Sequence, residues 1–191
     1  MINDQMLEND RIMLTRCTSI IQAVSQHLIS KHWQLATAES CTGGWLAKIC
    51  TDFEGSSAWF DGGVLCYSNH FKREFLNVPH VLMEAHGAVS QPVVEKMVQG
   101  LLLRTQSNIG VAISGIAGPT GGTDQKPVGT VHFAWRLFDG TMFTRQALFQ
   151  GNRNAVRMQA VYYALSGVQQ LLALNEKQAR DAQAEQTNQG Q

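Results

Sequence analysis

Ser57, Tyr67 and Lys72 stand close together in the chain and carry complementary chemistry. A serine hydroxyl is a poor nucleophile until a neighbour takes its proton, and a lysine can do so when burial lowers its pKa toward neutrality. A tyrosine nearby can relay the proton or hold an oxyanion. Each residue also has a plainer reading: a turn serine after Gly55-Ser56, a half-buried aromatic, a solvated helix lysine.

Two glycine-rich segments offer places for an anion. Ser40-Cys41-Thr42-Gly43-Gly44 precedes an apolar-periodic stretch from Trp45, so the hydroxyls and amides of Thr42, Gly43 and Gly44 fall where a helix dipole begins. Simple N-capping by Ser40 or Thr42 is the competing reading. Ser114-Gly115-Ile116-Ala117-Gly118-Pro119-Thr120-Gly121-Gly122 can aim several N–H groups, among them those of Gly115, Gly118, Gly121 and Gly122, at one point. A surface turn needing positive φ explains the same residues. Neither loop has dinucleotide or Walker spacing. Cys41 has no histidine placed beside it by the sequence and reads as a buried thiol. The six histidines form no ligand cluster, so no metal and no cofactor are expected.

The elements that must position these groups alternate between helix and strand. Helical periodicity runs over 7–29, 45–49, 69–76, about 79–85, 92–104 and 153–174; strand patterns cover 33–38, 59–67, 109–114, 129–137 and 142–149. Gly62-Gly63 inside the second strand marks a bulge or a close backbone approach. Asp139-Gly140 predicts an antiparallel hairpin. The pattern predicts an α/β fold: a three-layer α/β/α sandwich with a mixed, mostly parallel sheet and one hairpin. One domain is expected over 7–174, followed by a polar, disordered tail over 175–191.

Lys plus Arg equals Asp plus Glu, 15 against 15 among 191 residues, which withholds the basic field a nucleic-acid binder needs. The acidic start is unlike a secretory signal, and no run approaches a membrane span; a cytoplasmic protein with no nucleic acid or membrane partner is expected. The four cysteines lack CxxC pairing and are expected as free thiols. The sequence leaves a homo-oligomer open.

Taken together, Thr37-Ala38-Glu39-Ser40-Cys41-Thr42-Gly43-Gly44, Gly55-Ser56-Ser57-Ala58-Trp59-Phe60, Tyr67-Ser68-Asn69 with Lys72, His86-Gly87-Ala88-Val89-Ser90, Ser114-Gly115-Ile116-Ala117-Gly118-Pro119 and Lys126-Pro127-Val128-Gly129-Thr130-Val131 resemble the CinA C-terminal domain family, in family order over about 8–172. The resemblance implies metal-free hydrolysis of the carboxamide of nicotinamide mononucleotide to the acid mononucleotide and ammonia. It places catalytic positions on Ser57, Tyr67, Lys72 and Ser114, with Ser40 as rival nucleophile, and the phosphate on the two loops with help from Arg153 or Arg157. Two departures, His70-Phe71 within the Tyr-Ser-Asn motif and Asn152 in place of an acid, keep open an alternative: a paralogue that binds a nucleotide without turnover.

Overall fold

The computed structural model describes the backbone of residues 4–189 and the side chains of 11–185. Helix α1 (Asp4–Ser30) leads into strand β1 (Leu35–Glu39), helix α2 (Trp45–Thr51), a single 3-10 turn at Ser56–Ala58 and strand β2 (Phe60–Leu65). Helices α3 (Asn69–Leu76), α4 (His80–His86) and α5 (Gln91–Leu102) follow, then β3 (Ile109–Gly115), β4 (Thr130–Leu137), β5 (Met142–Leu148) and α6 (Arg153–Gln189).

The five strands lie in the order β2-β1-β3-β4-β5. β1 pairs in parallel with both β2 and β3, and β3-β4-β5 is an antiparallel meander, so four of the five strands point the same way. This is the expected mixed sheet, with β4 alone reversed by the hairpin.

The sheet's two faces differ in side-chain size. Leu35, Val111, Ile113, Phe133 and Trp135 join α1, α2 and α6 in the larger core. On the opposite face Ala36, Ala38, Ala112 and Ala134 meet α3, α4 and α5. Small residues let α5 lie close: a Cβ on Gly110 would stand 2.8 Å from Val98 Cγ2, and one on Gly100 would overlap the Leu76 carbonyl oxygen at 1.9 Å. Both readings of Gly62-Gly63 are realised. The β1–β2 register slips between Leu35 and Ala36, and a Cβ at Gly63 would sit 2.6 Å from Thr37 Oγ1.

The last helix does not end near Leu174. It runs on to Gln189, so the expected disordered tail is helical over nearly all its length. The segment from Asn175 is rich in Ala, Gln, Glu, Lys and Arg, all strong helix formers, and has no glycine before Gly190. His27 Nδ1 and Glu176 Oε1, 3.2 Å apart, join α1 to this extension. All four cysteines are buried free thiols. Among the described residues no helix is long and apolar enough to cross a membrane.

Candidate active site

Parallel strands create a crevice where successive connections leave toward opposite faces, outside the carboxyl ends of the strands. Here α2 follows β1 onto the larger core's face, whereas α3 follows β2 onto the other. Ser40 immediately follows β1, and Lys72 lies on α3 just after β2. They meet in that crevice, with Lys72 Nζ 3.0 Å from Ser40 Oγ. The helix that brings Lys72 there is locally encoded: Ser68 caps it by accepting from Phe71 N at 3.1 Å, and Asn77 closes it in the left-handed region.

Lys72 is only 2 % exposed and Ser40 7 %. Lys72 Nζ donates to Cys66 O at 2.9 Å and Tyr67 O at 3.2 Å. Burial pushes its pKa below the ordinary lysine value, which favours the neutral amine. With its other two contacts on carbonyls, Nζ donates its third bond to Ser40 Oγ; once deprotonated, it offers its lone pair to that hydroxyl. This is the geometry of a nucleophile beside its base.

A cavity of about 280 Å³ opens over the pair, lined also by Cys41, Tyr67, Asn69, Ala88, Val89, Ser114, Gly115, Ala117 and Arg153. Tyr67 is 62 % exposed, and Arg153 Nη2 approaches its hydroxyl at 3.4 Å. Arg153 Nη1 is tied to Gly118 O at 2.7 Å, which fixes the guanidinium beside the cavity. Ser114 is buried, its hydroxyl donating to Ala88 O at 2.8 Å. That proton is already engaged, so the Ser114 hydroxyl is not free to donate to an oxyanion.

Ser57 does not join this group. It lies in the 3-10 turn before β2, while Tyr67 and Lys72 follow that strand, so the sheet separates them by roughly 17 Å along the strand. The local Ser57-Tyr67-Lys72 arrangement is therefore replaced by Ser40-Lys72, with Tyr67 at the rim.

The glycine loops also differ from expectation. Neither Ser40 nor Thr42 caps α2; its N-cap is Gly44, with no side-chain cap. The buried Glu39 carboxylate, at the end of β1, accepts from Leu46 N at 3.1 Å and Ala47 N at 2.8 Å, so an acid of the chain itself fills the anion position. Gly43 N bonds Ser40 O, and Trp45 N bonds Thr42 O. Arg157 holds the outer side of this turn, Nε on Cys41 O at 3.1 Å and Nη2 on Thr42 O at 2.8 Å, with its guanidinium over Trp45. Thr42, Gly43, Gly44 and Arg157 thus build the turn that carries Ser40 and do not line the cavity.

In the second loop, Gly118 and Gly122 make room for Val128, which a Cβ at either would strike. Gly118, Gly121 and Gly122 lie outside the cavity lining, leaving Gly115 and Ala117 as the loop's contribution. Gly115 admits the Cys41 sulfur, 3.0 Å from where its Cβ would stand. Burial pushes the Cys41 thiol up to about 12, so it stays protonated and packs as an apolar group.

The two departures noted in the sequence leave the pair undisturbed. His70 lies on the outer side of α3, its Nδ1 3.4 Å from Arg73 Nη2. Asn152 Oδ1 accepts from Ala155 N at 2.9 Å and so caps α6 at the turn bearing Arg153. Glu39, Asn69, Ala88 and Val89 were not singled out as site residues. Glu39 carries a signal of its own, since an acid placed just before a strand-to-helix turn suits a helix N-terminus.

Fold and site together define an α/β/α-sandwich protein with a buried serine–lysine pair at the carboxyl edge of its parallel strands. The family model described as the CinA C-terminal domain matches residues 17–172. The chain belongs to the CinA C-terminal domain family. It is 47% identical over 154 residues to the nicotinamide-nucleotide amidohydrolase PncC of Escherichia coli, covering 81% of this chain and 93% of that one. To the protein of the same name from Pseudomonas putida it is 48% identical over 155 residues, 81% and 96% of the two chains. Among solved structures, a CinA superfamily protein from Klebsiella pneumoniae superposes with a TM-score of 0.78 at 39% identity, covering 82% of this chain and 98% of that one. The competence/damage inducible protein CihA from Agrobacterium tumefaciens gives 0.77 at 36%, covering 85% and 95%.

Proposed function

We infer that this protein is a nicotinamide-nucleotide amidohydrolase that converts the carboxamide of nicotinamide mononucleotide to the carboxylate, releasing ammonia. The observation that carries the reading is the buried Lys72 amine 3.0 Å from Ser40 Oγ under a cavity, in a chain so similar to enzymes of that name.

Ser40 Oγ attacks the carboxamide carbon as its proton passes to Lys72 Nζ. Backbone N–H groups of the Cys41 turn, which lines the cavity, are the donors available to the developing oxyanion. Collapse breaks the C–N bond, and the Lys72 proton leaves with the nitrogen as ammonia. Water then attacks the Ser40 ester, giving its proton to Lys72, and the acyl C–O bond breaks as that proton returns to Ser40. The sum is amide plus water to acid plus ammonia, with no group other than Ser40 and Lys72 changing its bonding.

Arg153, exposed at the rim and beside Tyr67, is the guanidinium available to the ribose phosphate. Arg157 is committed to two carbonyls.

The deciding experiment incubates the purified chain with nicotinamide mononucleotide and measures ammonia and acid mononucleotide, repeated with Ser40→Ala and Lys72→Met. Turnover that either variant keeps would remove the proposed mechanism. Saturable binding without turnover by the unaltered chain would instead establish the binding paralogue.

A further inference from the structure

Lys126 lies outside the cavity yet holds one of its walls. Its Nζ donates to His86 O at 2.7 Å and Val89 O at 2.7 Å, joining the segment after β3 to the turn between α4 and α5. All four carbonyls of that turn are engaged. Ser90 Oγ donates to Gly87 O at 2.8 Å, and Ser114 Oγ to Ala88 O at 2.8 Å. Gly87, at φ 77°, makes the turn possible, and a Cβ there would stand 3.4 Å from Lys126 Nζ. Ala88 and Val89 line the same cavity as Ser40 and Lys72.

A solvated surface lysine would not be half-buried across two backbone carbonyls, and among the described residues no carboxylate forms a salt bridge with Lys126. His132 opposes Ser114 in the β3–β4 register and is 7 % exposed, with no hydrogen-bond partner for either ring nitrogen. Burial and the nearby Lys126 charge hold its pKa below the usual histidine value. A neutral ring thus lies near the ammonium, leaving the carbonyls as its ligands.

We propose that Lys126 is a positioning residue: its ammonium fixes the 86–89 turn, and through it the Ala88 carbonyl and Ser114 hydroxyl, so that a carboxamide enters in reacting orientation toward Ser40. The inference rests on the Ser40–Lys72 reading. Two carbonyls separated by a glycine turn have no fixed spacing of their own; a single cation bonded to both supplies it. Misplacing a substrate-orienting wall by about 1 Å is enough to cost up to about 10²-fold in rate.

The test compares Lys126→Met, Lys126→Gln and Lys126→Arg in the full chain, by steady-state kinetics on nicotinamide mononucleotide and amide hydrogen exchange over 86–90. Lys126→Met is expected to lower kcat about 10-fold or more, with KM much less affected, and to speed exchange in that turn selectively. Lys126→Arg, whose fork can reach both carbonyls, restores kcat and protection; Lys126→Gln falls between. Unchanged kcat and unchanged exchange in Lys126→Met would overturn the proposal, as would an arginine variant no better than methionine. If the unaltered chain does not turn over, the functional reading fails and exchange alone decides: faster exchange confined to 86–90 supports the brace, and unchanged exchange refutes it. If Lys126→Met does not fold, the arginine and glutamine variants carry the same comparison.

Discussion

Lys72 Nζ lies 3.0 Å from Ser40 Oγ although the two residues belong to different layers of the sandwich, one on α3 and one at the end of β1. Removing either partner should lower kcat by about 10²-fold or more, the usual worth of a nucleophile's base. Ser57→Ala, at the far end of β2, should change kcat by less than about twofold, as expected for a surface substitution. Loss of activity in Ser57→Ala at unchanged stability would move the reacting centre elsewhere.

The amine that works as a base must be neutral, so kcat/KM should rise with pH through the folded-state pKa of Lys72, which lies below 10.5. The same shift affects stability. Between that depressed value and the unfolded value, the unfolded chain binds more protons than the folded one, so stability climbs as pH rises through this window. Lys72→Met should flatten the climb in urea midpoints measured across it. An equally steep climb in the variant would show that other groups cause it.

Glu39 is 1 % exposed and takes the first free amides of α2. Glu39→Gln keeps the shape but turns an NH₂ toward those donors, leaving one unsatisfied at a cost of about 1–3 kcal/mol. Denaturant unfolding with an unchanged m-value should show the loss. A variant as stable as the parent would mean that the amides find other acceptors.

If Arg153 receives the phosphate, Arg153→Ala should raise KM for the mononucleotide about 10-fold or more, in line with a lost charge-assisted bond. Nicotinamide riboside, which lacks the phosphate, should be processed equally by both proteins. An equal penalty on the riboside would assign Arg153 to the ring or the sugar.

Local signals made most of the fold legible. The Asn69–Leu76 helix follows from its helical periodicity, and the β4–β5 hairpin from Asp139-Gly140. The end of α6 was hidden because a polar segment of good helix formers looks the same whether helical or disordered. In the site, Lys72 and Tyr67 were visible by type, and Ser40 as the rival nucleophile. Choosing between Ser40 and Ser57 needed the sheet: Ser57 precedes a strand that Tyr67 follows, and residues at opposite ends of a strand cannot meet. Arg153 and Arg157 are alike in sequence. Only the carbonyls around Arg157 and the cavity beside Arg153 set them apart.

The alanine-and-glycine face of the sheet also bears on how freely this sequence can vary. Phe133 stacks with other rings in a thick layer where one large apolar residue can replace another with repacking. Ala36, Ala38, Gly110 and Ala112 have no such latitude, because α5 leaves no space above them and Gly100 already touches Leu76. The 86–89 turn leads directly into α5. Substitution should therefore be slow on that side, and the side of the molecule least able to absorb mutation is the one from which the cavity wall is suspended.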